Sequence, residues 1–234
     1  MTTKLDSVAD FGFADPENAR NYAESGPADF VPGFSALHRT TAQLLSETAG
    51  SDGKVFVLGA GGGHELAAFS EAQPNWKLIA VDPAPEMLKQ AKLKLGDAAK
   101  HIQWIEGFAH DAPAMRADAA ACLLTLHVIP EDEIKIETLK QVRARIKPGG
   151  NFALVDNCID MDSPDADRLL NRFVQFAVES GIPRAQVSEF REKLKEVRTT
   201  RSPEQEEQLL QAAGFEHIEL YYVGLSWRGW IAKA

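Results

Sequence analysis

The chain has 234 residues, 44% of them hydrophobic and 25% charged, which suits one large soluble domain with a real core. Its formal net charge of −9 works against binding naked DNA or RNA, because affinity for polyphosphate rests on Lys and Arg releasing counterions, so no direct nucleic-acid partner is expected. No apolar run approaches the roughly 18 residues that span a bilayer, and the opening MTTKLDSVADF lacks the apolar centre of a signal peptide. Cys122 and Cys158 stand far apart in or beside apolar runs, as buried free thiols would, so a cytoplasmic protein without a membrane partner is expected.

In chain order, the turn Val31-Pro-Gly-Phe34 leads into a helix over Ser35–Thr48. Lys54–Gly59 (KVFVLG) reads as a buried strand, His64–Ala72 as a helix, Lys77–Asp82 as a second strand and Pro85–Leu95 as a helix. His101–Glu106 and Ala119–Val128 are the third and fourth strands. Ile134–Ile146 is a helix that Lys147-Pro-Gly-Gly150 stops, and Asn151–Asp156 is the fifth strand. Pro203–Ala213 is a helix closed by Gly214, before two strands, His217–Val223 and Leu225–Ala232, hinged at Gly224. The alternation predicts an α/β fold with a mainly parallel sheet, helices on both faces and an antiparallel C-terminal hairpin. Residues 1–50 form a helical cap in this reading and residues 160–200 a helical lid, all within one domain over 1–234. In the lid, Leu169, Leu170, Phe173, Phe176 and Ala177 form a stripe suited either to core packing or to a homodimer face. Arg184, Arg191, Arg198 and Arg201 mark either a local basic patch or a solvated helix face among interleaved acids.

The chemistry starts at Val57-Leu-Gly-Ala-Gly-Gly-Gly-His-Glu65. Gly59, Gly61 and Gly63 follow a buried strand and open a helix, where a tight turn and close ligand approach need residues without Cβ. A dinucleotide fold would place a glycine at position 64, where this chain has His64. Asp82 ends the second strand, 23 residues after Gly59, and is placed either to accept both ribose hydroxyls or to cap the following helix.

These pieces together resemble the class I S-adenosylmethionine (SAM)-dependent methyltransferases, over roughly residues 31–234. The likeness rests on VLGAGGG at 57–63, VDPAPEML at 81–88, IEGFAHDAP at 105–113, LLTLHVIP at 123–130, LKQVRARIKPGG at 139–150 and LLQAAGFEHIELYY at 209–222. It implies a Rossmann-like seven-stranded methyltransferase sheet, SAM as cofactor, S-adenosylhomocysteine as product and a small-molecule acceptor. It further implies that Gly59, Ala60, Gly61 and Gly63 surround the methionine part of SAM. Asp82 would then hold the ribose, Pro83, Met87, Phe108 and Ala109 would lie at the adenine side, and Leu124 and Thr125 would line the sulfonium side.

The chain departs from the family at two positions. Val57 stands where many members carry an acid that contacts the methionine amino group. Phe108 stands where many carry an aspartate for the adenine amino group, and Asp111 is the nearby substitute. A closer resemblance is to the carboxy-SAM synthase branch, through VPGFSALHRTTAQLL at 31–45, TLHVIP at 125–130 and VSEFREKLKEV at 187–197. There an arginine grips the added carboxylate, and Arg191 falls on it. Phe34, expected to border the cofactor, replaces a ligand-binding tyrosine of that branch and Leu123 an asparagine, so ordinary methyl transfer is the expected chemistry. Carboxy-SAM synthesis and non-enzymatic SAM binding are the alternatives.

Methyl transfer needs a general base only when the acceptor is protonated. His127, at the ligand edge of the sheet, is one candidate or else a satisfied strand-end histidine; His38 is another, or else a surface partner of Arg39. Tyr22, Arg39, Arg191 and Trp227 are the expected acceptor contacts. The six histidines lack metal-ligand spacing with acids or cysteines, so no metal is expected.

Overall fold

The structure, a computed structural model, describes residues 12–24 and 26–234. The leader reading of residues 1–11 and the start of the expected cap lie outside them. Seven strands form one sheet in the order β3-β2-β1-β4-β5-β7-β6. They are β1 (Lys54–Leu58), β2 (Lys77–Asp82), β3 (Gln103–Glu106), β4 (Ala117–Leu123), β5 (Ile146–Asn157), β6 (Glu216–Gly224) and β7 (Trp227–Lys233). The first five run parallel, and β7 lies antiparallel between β5 and β6. The chain winds outward from β1 through β2 to β3, then returns to β4 on the other side of β1. This reversal opens a crevice at the C-terminal ends of β1 and β4, where open α/β sheets take their ligands.

Among the described residues, eight α-helices cover the sheet: α1 (Pro16–Glu24), α2 (Phe34–Ala49), α3 (His64–Ala72), α4 (Pro85–Leu95), α5 (Asp132–Arg143), α6 (Ala166–Glu179), α7 (Arg184–Val197) and α8 (Pro203–Ala212). Strand alternation sends Val55 and Val57 to one face, with α2, α3, α6 and α7, and Phe56 and Leu58 to the other, with α5 and α8. Burial of both faces explains why β1 and β2 read as continuous apolar runs.

Several boundaries and one cap differ from expectation. β4 ends at Leu123, because Leu124 takes a left-handed conformation (φ 56°) and Leu126–Val128 is a turn of 3₁₀ helix. α5 ends at Arg143, and Lys147–Gly150 lies inside β5; Ile146 already pairs with Ala117 and the register shifts past it. The last hairpin turns on Leu225 and Ser226, with Leu225 at φ 58°, and Gly224 still belongs to β6. α4 begins at Pro85 with Ala84 as its cap position; Asp82 instead brackets the preceding turn, accepting from the Ala84 N–H at 2.9 Å.

In the expected lid, Leu170, Phe173 and Ala177 are buried in the core, while Leu169 and Phe176 are half-buried at its edge. Phe30 stacks on Phe173 at 5.4 Å between centroids and meets Phe190 at 5.8 Å, joining α6 and α7 to the segment before α2. The four arginines are each engaged: Arg191 by Asp167, Arg198 by Asp162, Arg201 by Asp132 and Arg184 by Gln175. Acids thus pair three of the four, which favours a solvated helix face over a basic patch.

Trp230 of β7 is fully buried, with its indole N–H donating to Glu207 Oε1 at 2.9 Å. Trp230→Ala removes both the packing and the donor, and is expected to lower unfolding free energy by about 3–5 kcal/mol in urea titrations.

Candidate functional site

The turn after β1 is held by its backbone and by what crowds it. The N–H groups of Gly59 and Ala60 donate to Val81 O, at 2.8 and 3.0 Å. Gly59 is left-handed (φ 74°), and a Cβ there would sit 2.0 Å from Thr125 Oγ1. Gly63 is also left-handed, and a Cβ would press on Ala91 of α4 at 2.9 Å. At Gly61 a Cβ would make ordinary contacts, with Met87 at 3.5 Å and Tyr22 at 3.6 Å beyond the local backbone, so the middle of the turn is less crowded than its two ends. Thr125 itself donates to Leu123 O at 2.9 Å, which ties the loop after β4 to the strand it leaves.

Asp82 Oδ2 accepts the Gly61 N–H at 2.8 Å, and its other oxygen holds Ala84. A carboxylate has about four acceptor sites, so two bonds leave capacity for a diol. Glu65, the second residue of α3, is 6% exposed. Burial, then the Asp82 charge, pushes the Glu65 carboxyl up to about 8, and burial raises Asp82 to about 6 against its two N–H bonds. Tyr22, on α1, lies over the turn: its carbonyl faces His64 Nε2 at 3.1 Å, and burial beside Glu65 and Asp82 raises its phenol.

His127 sits in the 3₁₀ turn beyond β4. Its Nδ1 is 2.5 Å from Oδ1 of Asp156, a fully buried residue on β5, and its ring meets Trp227 edge-on at 5.5 Å. The second Asp156 oxygen has no hydrogen-bond partner among the described residues. Behind this pair the fully buried Lys135 donates to Leu126 O at 2.9 Å and lies 3.9 Å from Glu206, which is also fully buried. Burial and Asp156 push Glu206 up to about 8.

The other expected residues divide. Phe34 packs edge-on against His38 and His64. His38 is 3% exposed and donates from Nδ1 to Phe34 O at 2.9 Å, so it is a core histidine and not a surface partner of Arg39. Burial lowers it to about 4, far from the pH at which a base works well. Arg39 is exposed. Met87 and Ala109 are buried and Pro83 is exposed. Phe108 stacks with His110 at 5.9 Å, and its N–H occupies Asp111 Oδ2 at 2.8 Å. Trp227 donates to Phe30 O at 2.9 Å, inside the same region as His127. Arg191 joins α7 to α6 through Asp167 at 2.6 Å, with its Nε buried and unpartnered.

Sequence reasoning missed Asp156, Glu65, Lys135 and Glu206. An acid ending a strand on the ligand edge was the available signal for Asp156. The other three look like the polar face of amphipathic helices.

Residues 56–152 match the model of a family described as a methyltransferase domain. The carboxy-S-adenosyl-L-methionine synthase of Colwellia psychrerythraea is 27% identical over 197 residues, 82% of this chain and 80% of that enzyme. A candidate O-methyltransferase of Nostoc punctiforme superposes with a TM-score of 0.65 at 18% identity, covering 92% of this chain and 60% of that one. Human N-acetylserotonin methyltransferase, solved with SAM, superposes with a TM-score of 0.59 at 16% identity, covering 94% of this chain and 57% of that one. The chain thus spans about three fifths of the two structural relatives. The ordered motifs and the seven-stranded sheet agree with these matches.

Glu65 also sets a pH dependence. Its folded value, about 8, lies above the usual 4.5, so between those pH values the unfolded chain has lost a proton that the folded one keeps. Stability from this group is full below about 4.5 and falls as pH rises toward 8. In thermal unfolding of the ligand-free protein at pH 8, Glu65→Gln is expected to melt about 4 °C or more above the wild type, with the gap closing near pH 4.5.

Proposed function

We propose, from the premise that this chain is a SAM-dependent methyltransferase of class I fold, that it methylates a hydroxyl of a small-molecule acceptor, with His127 as the base. The observation that carries this is the 2.5 Å contact between His127 Nδ1 and buried Asp156 at the ligand edge of the sheet.

The residues present fit the cofactor. Free acceptor capacity on Asp82 and two buried carboxyls without a cationic partner suit a ligand with a ribose diol and positive charge. In this reading Gly59, Ala60, Gly61 and Gly63 flank its amino-acid part and Asp82 takes the ribose. Pro83, Met87, Phe108 and Ala109 border the adenine, and Leu124 and Thr125 face the sulfur. Bound there, SAM would supply a methyl group on a good leaving group for in-line displacement. Asp156 accepts the Nδ1–H of His127 and so leaves Nε2 as the proton acceptor. As the acceptor oxygen gains its methyl group, its proton passes to Nε2, and Asp156 stabilises the imidazolium. Trp227 and the Phe30–Phe173–Phe190 packing keep water from this side. Tyr22 borders the turn. His38, held neutral, and Arg39, facing solvent, have no part in the chemistry in this reading.

A second reading, a synthase of carboxylated SAM, is favoured by the 27% identical relative and by the buried, unpartnered Nε of Arg191. It is weaker because the terminal nitrogens of Arg191 are already held by Asp167 and Glu192. The leading reading also takes a reducing cytoplasm, where Cys122 and Cys158 stay free, no direct nucleic-acid contact, and a homodimer.

Mass spectrometry of the ligand released on denaturing freshly purified protein separates the two readings. SAM or S-adenosylhomocysteine is expected; a carboxylated SAM that disappears in Arg191→Ala would make the synthase reading the better one. With an acceptor in hand, His127→Ala is expected to lower kcat by about 10²–10⁴-fold, with Asp156→Asn in the same direction. Cofactor Kd should stay within about twofold, since neither residue is placed on the cofactor.

A further inference from the structure

Glu65 is the least explained group in the molecule. It is charged by nature and 6% exposed, and it stands on the first turn of α3 directly after Gly63. Its carboxyl accepts its own backbone N–H and lies within electrostatic reach of the Tyr22 phenol of α1, the Cys122 thiol of β4 and Asp82. Asp82 reaches the same space from β2. Among the described residues no Lys, Arg or His forms an ion pair with either acid. The nearest imidazole, His64, is lowered by burial and occupied with Tyr22 O, so it supplies no countercharge. A buried carboxyl left without a cation is costly to ionise, and such a group persists where a ligand brings the missing charge.

We infer that Glu65 binds the α-ammonium group of the cofactor's amino-acid tail. This rests on the SAM reading above and specifies which of the ligand's two cationic groups the residue meets. The sulfonium carries the methyl group and must face the acceptor near His127 and Thr125, at the β4 and β5 ends. Glu65 lies at the start of α3, on the other side of the turn. Val57 cannot serve, since it is fully buried in the apolar layer beneath. Asp82 is committed to the Gly61 and Ala84 N–H groups and to the ribose.

The test is calorimetric titration of wild type and Glu65→Gln with three probes: S-adenosylhomocysteine, decarboxylated S-adenosylhomocysteine and 5′-methylthioadenosine. The first two carry the ammonium group and no sulfonium; the third has neither. Glu65→Gln is expected to bind the first two about 10- to 100-fold more weakly, with 5′-methylthioadenosine unchanged within about twofold. Retained binding of the third probe also shows that the variant is folded. Unchanged S-adenosylhomocysteine affinity would overturn the inference and leave the cofactor reading standing. Equal weakening of all three probes would also overturn it, by reducing Glu65 to a support of the turn. Failure of the wild type to bind S-adenosylhomocysteine at millimolar concentration would remove the cofactor reading and this inference together.

Discussion

The approach of Gly59 to Thr125 sets the geometry of everything at the ligand edge. With a Cβ position 2.0 Å from a hydroxyl oxygen, no other residue could stand at 59 without pushing the loop after β4 outward. That loop carries Leu124 in a left-handed conformation and then the 3₁₀ turn that presents His127. The turn is fixed from behind by Lys135 on Leu126 O and from the side by Asp156 on the imidazole. One close contact between two loops thus places the cofactor turn and the imidazole in a common frame.

The electrostatics run in a consistent direction. Glu65, Asp82 and Glu206 are all raised by burial, and each sits near another acid. Without a ligand, these groups hold their protons or lower stability. This is the usual trade at a functional site, where pre-placed charge is tolerated because the rest of the fold carries the stability. The contrast with the surface is clear: the arginines of α7 and the segment after it have acidic or amide partners, while the acids at the Gly-rich turn have no cation among the described residues.

The fold was largely legible because a parallel strand buried on both faces reads as an unbroken apolar run, and Lys54–Leu58 and Lys77–Asp82 are such runs. The turn glycines were legible because few other reasons put three of them between a strand and a helix. The end of β4 was not, since Leu-Leu-Thr-Leu continues the apolar pattern while Leu124 leaves the strand by a backbone rotation that composition does not encode. Asp156 looked like an ordinary strand end, because pairing it with His127 needs the knowledge that the β4 and β5 ends are neighbours. Glu65, Lys135 and Glu206 are of types that usually lie on helix surfaces, and only the tertiary packing buries them. His38 misled in the opposite sense, because a histidine beside an arginine on an amphipathic helix looks exposed.

The segment between α1 and α2 also has anchors on the last strands. Trp227 holds Phe30 O, Tyr222 reaches Pro32 O and Tyr221 meets Thr41, so β6 and β7 tether the region between α1 and α2. These three bonds join residues 180 to 197 positions apart in the sequence. Contacts of that separation close very long loops, so this edge of the molecule weighs toward slow folding.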